Sequence, residues 1–196
     1  MRNKIGIIFM SLGILLMIGA AGLSLRNMNE NKEAEEKSEQ VVQQLIMEIE
    51  ETAQAEPTVD DFRQKEMDNI QIDGKEYVGY LSIASLGINL PIRSEWSYSN
   101  LQMSPCRYSG SIHTEDLVIA AHNYKSHFGK IKDIKMGERI LFTDIYGKTY
   151  EFEAAEAVVL GPKDVEILTN GEFELSLFTC TYDGGSRFVV RCAQVK

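Results

Sequence analysis

The chain has 196 residues, enough for one domain of ordinary size plus additional segments. Its formal net charge of −9 is unevenly spread: residues 1–26 carry three bases and no acid, residues 27–70 four bases and thirteen acids, and residues 71–196 thirteen bases and sixteen acids. The acidity therefore belongs to a middle segment, and no Lys/Arg block with interleaved aromatics occurs, which argues against nucleic-acid binding.

Ile5 to Leu25 is a run of 21 residues without a charge, rich in Ile, Leu, Met and Gly. At a helical rise of about 1.5 Å per residue it is long enough to cross a bilayer core. Arg2 and Lys4 precede it and an acid-rich tract follows, so the positive-inside rule places the N-terminus in the cytoplasm and the bulk of the chain outside. Gly19-Ala20-Ala21-Gly22 offers the small residues of a signal-peptide cleavage site, but the run exceeds a usual signal-peptide core and favours an uncleaved anchor. Either way the remainder is exported.

Residues 27–56 are polar, acidic and rich in helix formers, with a narrow stripe of Val42, Leu45, Ile46 and Ile49 at helical spacing. This predicts a solvated helical stalk, with a short self-associating coiled coil as the alternative. Pro57 to Asp68 reads as a linker. Three segments follow: a membrane anchor (1–26), an acidic stalk and linker (27–69) and a folded domain (70–196).

From Ile70 the pattern changes to short strands punctuated by Gly, Pro and Asn. Tyr77–Ile83 alternates, and Gly87–Ile92 predicts a second strand with Pro91 at an edge or an end. Trp96–Met103 is more helical. Asp116–Ala121 is a continuous apolar run, hence a buried strand, ending on His122. Phe128–Ile134 suits a short helical turn. Arg139–Asp144 and Lys148–Glu153 form a hairpin around Ile145-Tyr146-Gly147, prolonged by Ala155–Leu160. Near the end, Leu175–Cys180 and Arg187–Cys192 flank Asp183-Gly184-Gly185 as a hairpin whose symmetric register sets Cys180 opposite Arg187 and Cys192 opposite Leu175. Many short strands with few helices predict a small all-β sandwich or barrel.

Cys106, Cys180 and Cys192 make an odd count, so an exported protein keeps at least one free thiol, and the hairpin register argues against a Cys180–Cys192 bridge. A thiol beside a fixed guanidinium has the electrostatics of an activated nucleophile, whereas a half-buried Cys and a surface Arg are the bland alternative. His122 stands where a buried strand emerges into a loop, a position suited to catalysis or to a structural histidine. His113 and His127 lie in polar loops and are expected to face solvent. A metal site from His122, His127 and Glu115 or Asp116 fits no standard spacing. Together Cys180, His122 and Arg187 form a set competent for acyl transfer: a thiolate to attack a carbonyl, an imidazole to move the proton, and a guanidinium to steady the oxyanion or the substrate backbone.

The segments Gly79–Ile83 with Ile88–Ile92, Val118–Asn123, Gly137–Ile140 with Gly147–Tyr150, and Ser176–Cys180 through Arg187–Val190 resemble, in order and spacing, those of sortases. The resemblance spans roughly residues 70–196, and the N-terminal anchor suits it. It implies a closed eight-stranded β-barrel and a membrane-anchored cysteine transpeptidase of Gram-positive bacteria. Such an enzyme cleaves a Leu-Pro-X-Thr-Gly-type (LPXTG-type) sorting signal between Thr and Gly. It then passes the acyl group to an amine of a peptidoglycan precursor or a pilin. By position it implies catalytic roles for His122, Cys180 and Arg187, with Arg191 as the rival arginine, and substrate contacts at Thr179, Ala121 and Asn123. Ser176 stands where the family's Thr-Leu-X-Thr-Cys signature begins with Thr, and Ala121 where Gly is commoner. The short segment from Gly161 to Gly171 argues against the class B insertion. The resemblance requires no cofactor; calcium held by acidic loop residues such as Glu115 and Asp116 is known in some members. A membrane-tethered binding module without turnover and a hydrolytic cysteine peptidase are the alternative readings.

Overall fold

The computed structural model describes residues 2–53, 66–169, 173–181 and 184–195. Most of the linker from Pro57, and Asp183 at the centre of the last turn, lie outside these residues. In chain order the elements are α1 (Arg2–Ala53), β1 (Ile70–Ile72), β2 (Lys75–Ile83), β3 (Ile88–Arg93), α2 (Tyr98–Met103), β4 (Cys106–Ser109), β5 (Leu117–Ala120), β6 (Arg139–Asp144), β7 (Thr149–Leu160), α3 (Val165–Leu168), β8 (Leu175–Cys180) and β9 (Arg187–Gln194). A 3-10 turn spans Phe128–Asp133.

The strands run in the order β2-β3-β4-β5-β8-β9-β7-β6, and β6 pairs back onto β2. Eight strands therefore close a barrel, with β1 added beside β2. The β1–β2 hairpin turns on Asp73 and Gly74, both with positive φ, the two-residue geometry that matches strand twist. Closure depends on Gly79: a Cβ there would lie 2.0 Å from the Thr143 carbonyl oxygen. The β6–β7 hairpin is fixed by Asp144, whose Oδ1 accepts from the backbone N–H groups of Tyr146 (3.0 Å) and Lys148 (2.9 Å).

Alternation along the strands sends Leu81, Ile83, Ile119, Phe142, Phe152, Leu175, Leu177 and Val190 into the barrel. A second apolar cluster covers part of its outer face, where Cys106, Val118, Ala120, Phe178 and Val189 pack under Leu101 of α2 and Leu168 of α3. Strand β5 and most of β8 are buried on both faces, which is why β5 reads as an unbroken apolar run. β5 lies parallel to β8 and pairs Ala120 with Phe178.

The stalk departs from expectation. α1 is one continuous helix of 52 residues whose inner half packs along the barrel instead of standing in water. Leu45 is fully buried, and Leu45 and Ile49 pack with Ile72 and Tyr77. Ala34, Ser38 and Val42 are also buried and extend the seam toward the N-terminus. The stripe is satisfied within the chain, so it needs neither water nor a second helix. Beyond it the outer half, from Ile8 to Leu25, exposes its Leu, Ile, Met and Phe side chains and is long and apolar enough to be a membrane anchor.

Candidate active site

Cys180 closes β8 and Arg187 opens β9, and the antiparallel register pairs them directly. Cys192 pairs with Leu175 at the far end of the hairpin, and all three cysteines are free. Side chains at Ser176, Phe178 and Cys180 share one face of β8, and Phe178 belongs to the outer cluster, so Cys180 also emerges on the outer face. Beyond β5, Ala121 N–H donates to the Phe178 carbonyl (3.1 Å), continuing the parallel pairing by one residue. His122, two positions past Ala120, therefore comes level with Cys180, two positions past Phe178. His122 just past the end of β5, Cys180 at the end of β8 and Arg187 at the start of β9 thus come side by side at one rim of the barrel.

The thiols differ sharply in surroundings. Cys106 and Cys192 are fully buried, and burial pushes the Cys106 thiol up to about 12 and the Cys192 thiol higher still. Both are inert packing residues, whereas Cys180 is partly exposed. Burial lowers the pKa of His122 below the ordinary imidazole value, so its resting form is neutral. Arg187 Nη1 donates to the carbonyls of Ser186 (3.1 Å) and Gly184 (3.4 Å), which aims the guanidinium along the turn beside Cys180. Arg191 is engaged elsewhere: it pairs with Glu156 (3.4 Å) and lies over the Phe173 ring. It also sits four residues farther along β9, about 13 Å by strand rise.

A small cleft of about 110 Å³ opens beside Cys180, lined by Asn123, Phe128, Gly129, Lys132, Thr179, Thr181 and Phe188. The Thr179 hydroxyl is buried without a hydrogen-bond partner. Asn123 thus stands at the cleft, while the Ala121 methyl is turned into the barrel core. Asp116 is tied into its own loop, accepting from Ser111 N–H (2.9 Å) and from the Thr114 hydroxyl. Among the described residues no three His, Cys, Asp or Glu side chains converge as metal ligands.

The loop after His122 contains what sequence reasoning missed. His127, expected in solvent, is fully buried. Its backbone N–H donates to the Tyr124 carbonyl (3.0 Å), Gly129 N–H donates to the same oxygen (2.8 Å), and Phe128 N–H donates to the His122 carbonyl (3.0 Å). These bonds curl the loop so that Phe128 enters the core and carries His127 inward. Gly129 permits the curl, since a Cβ would lie 2.5 Å from the Asn123 carbonyl oxygen. The Tyr124 ring stacks on the His122 imidazole, with centroids 4.8 Å apart and planes at 23°. The only hint in the sequence was two more aromatic rings within five residues of His122.

Comparison with known proteins agrees with this geometry. The sortase domain model matches residues 81–195, more than half of the chain. Sortase A of Bacillus anthracis is 25% identical over 195 residues, covering 93% of this chain and 92% of that protein. Among solved structures, a Clostridium perfringens sortase D5 transpeptidase superposes with a TM-score of 0.62 at 18% identity, covering 82% of this chain and 99% of its own. Sortase A from Corynebacterium diphtheriae gives 0.57 at 19% identity, covering 91% and 96%. A domain match of this extent, on a closed barrel of the same architecture, establishes that the chain belongs to the sortase family, whose members are transpeptidases.

Proposed function

We propose that this chain is an exported, membrane-anchored cysteine transpeptidase that cleaves an LPXTG-type sorting signal and transfers it to an amine. The observation that supports this best is the strand register, which lines up His122, Cys180 and Arg187 on one rim of the barrel. The neutral imidazole of His122 accepts the Cys180 thiol proton as sulfur attacks the Thr carbonyl of the signal. Arg187 steadies the tetrahedral oxyanion or the adjacent peptide backbone. Collapse breaks the Thr–Gly bond, the departing Gly nitrogen takes the proton from His122, and a thioester remains on Cys180. An incoming amine of a peptidoglycan precursor or a pilin gives its proton to His122 and attacks the thioester. The thiolate leaves and is reprotonated. The helix over residues 5–25 holds the enzyme in the cell membrane with its N-terminus in the cytoplasm.

Intact-mass spectrometry of the full chain incubated with a sorting-signal peptide tests this. A mass increase equal to the acyl fragment, absent in Cys180→Ala, is expected, and an added amine should appear in the released product. A thiol reagent should modify Cys180 alone until the protein is unfolded, and the peptide should slow that modification. No adduct and no protection would leave a binding module, and adduct turnover to free acid even with excess amine would leave a hydrolytic peptidase.

A further inference from the structure

In many cysteine and serine acyl-transfer enzymes a side-chain hydrogen bond orients the catalytic imidazole. Among the described residues, none hydrogen-bonds the ring of His122. Its fixed neighbour is instead a flat one, the Tyr124 ring stacked at 4.8 Å. Tyr124 also meets His127, with ring centroids 5.7 Å apart and planes tilted by 40°. The His127 ring is fully buried and neither of its nitrogens has a hydrogen-bond partner. A buried imidazole left unpaired costs stability, so an apolar side chain would serve better if the position only filled space. The His127 ring instead packs at a tilt of 40° against Tyr124, next to the stacked His122–Tyr124 pair. The Tyr124 backbone is fixed as well, by the two N–H groups that donate to its carbonyl.

Tyr124 is also where the stalk reaches the active-site loop. It lines two grooves whose opposite wall is α1, one bearing Glu33, Ala34 and Lys37 and the other Asn31, Lys32 and Glu35. The docked half of α1 therefore walls the space into which the Tyr124 ring would otherwise swing.

We propose that Tyr124 is the positioning residue for His122, and that the docked stalk keeps it stacked. The proposal rests on the reading of His122 as the acid–base group. The lone pair that takes the thiol proton lies in the plane of the imidazole, so the rotation that matters is about the Cβ–Cγ bond. A parallel ring on one face restricts that rotation while leaving both nitrogens free to exchange protons. Aromatic stacking is weak compared with a buried ionic hydrogen bond. The His127 ring and the two backbone bonds to the Tyr124 carbonyl hold its place, and α1 closes the far side of the grooves that Tyr124 lines.

Level with His122 on the neighbouring strands are Cys180 on β8 and Arg187 on β9, and its own loop carries Lys125 and His127; Lys130 on the 3-10 turn and Lys32 and Glu35 on α1 line the groove that Tyr124 also lines. All remain in a Tyr124 variant, so a change in His122 titration reports the loss of ring cover. The test uses the full chain in detergent micelles, with Tyr124→Ala, Tyr124→Phe and Leu45→Asp. Both kcat and KM are measured for a sorting-signal peptide, and His122 is titrated by NMR.

Tyr124→Ala should lower kcat about ten- to hundredfold with KM within about twofold, the pattern of lost alignment. Its His122 titration should move up toward the ordinary imidazole value as water reaches the exposed face. Tyr124→Phe keeps the ring and should restore both. Leu45→Asp, which undocks α1, should lower kcat severalfold in the same sense. Wild-type kcat and titration in Tyr124→Ala, or a Tyr124→Phe as poor as the alanine variant, would overturn the proposal; unchanged kcat in Leu45→Asp would overturn the stalk's part in it. If the wild-type chain turns over no peptide, the transpeptidase reading fails, and the NMR titration still decides on Tyr124.

Discussion

His127 should make the barrel acid-sensitive in a way that one substitution removes. Its ring is fully buried, and burial first, then the neighbouring His122, pushes its pKa down to about 4 from the ordinary 6.5. Above pH 6.5 the imidazole is neutral in both folded and unfolded chains, and no stability is at stake. As pH falls through 6.5 the unfolded chain binds a proton that the folded chain does not bind until about pH 4. Stability is therefore lost with falling pH across that window. At about 1.36 kcal/mol per pH unit, the gap amounts to about 3 kcal/mol in full, of which about 2 kcal/mol is lost between pH 7 and pH 5. That is a large share of a typical domain's stability of about 5–15 kcal/mol. Urea unfolding at the two pH values can be followed by the fluorescence of Trp96, the single tryptophan, which packs against Tyr98 and Tyr108 of the barrel domain. His127→Leu removes the titrating group and the two unpaired nitrogens, leaving the carboxylates and the other histidines to titrate alike in both proteins. The variant should lose about 2 kcal/mol less than wild type over the same pH interval. Equal losses would refute the reasoning.

Arg187→Lys should cut kcat/KM by at least about tenfold without lowering the unfolding midpoint, because a point charge cannot reproduce the planar fork beside Cys180. Near-normal turnover would move the role to Arg191 in spite of its pairing with Glu156. Leu45→Ala should weaken the docking of α1 by about 3 kcal/mol. Amide hydrogen exchange should then rise across residues 34–49 while β5, β8 and β9 stay protected, and uniform exchange throughout would place Leu45 outside the docking seam.

Local chemistry made some elements readable and left others hidden. The closing hairpin was legible because β-formers flank an Asp-Gly-Gly centre, and a register symmetric about that centre gives the pairs Cys180–Arg187 and Leu175–Cys192. β1 and β4 were not, because three and four residues are too few for a period to show. The stalk stripe was visible as Val42, Leu45 and Ile49, but its extension through Ala34 and Ser38 was not. Small residues add little hydropathy yet let a helix approach a barrel closely, so a seam twice as long looked like a short one. His127 misled because its neighbours Lys125 and Ser126 are polar. Its burial is decided by backbone hydrogen bonds into Tyr124 that no side-chain pattern announces.

Cys106 and Cys180 share the outer face of the barrel, yet one thiol is suppressed and the other can react. Cys106 pairs with Ala120 in the middle of the outer cluster, under the cover of Leu101. Cys180 lies two residues past Phe178, itself a member of that cluster, so it stands just beyond the edge of the cover. The apolar patch that covers the outer face of β5 and β8 thus ends just short of Cys180. His122 is level with that edge because β5 and β8 are parallel and Ala120, two residues before His122, pairs with Phe178, two residues before Cys180. The first outward side chains past the buried patch on these two neighbouring segments are the His122 imidazole and the Cys180 thiol. The parallel pairing joins residues 58 apart in the chain, as Leu117 with Leu175, so it could not be derived from local patterns. It is the feature that brings His122 level with the Cys180–Arg187 pair of the closing hairpin.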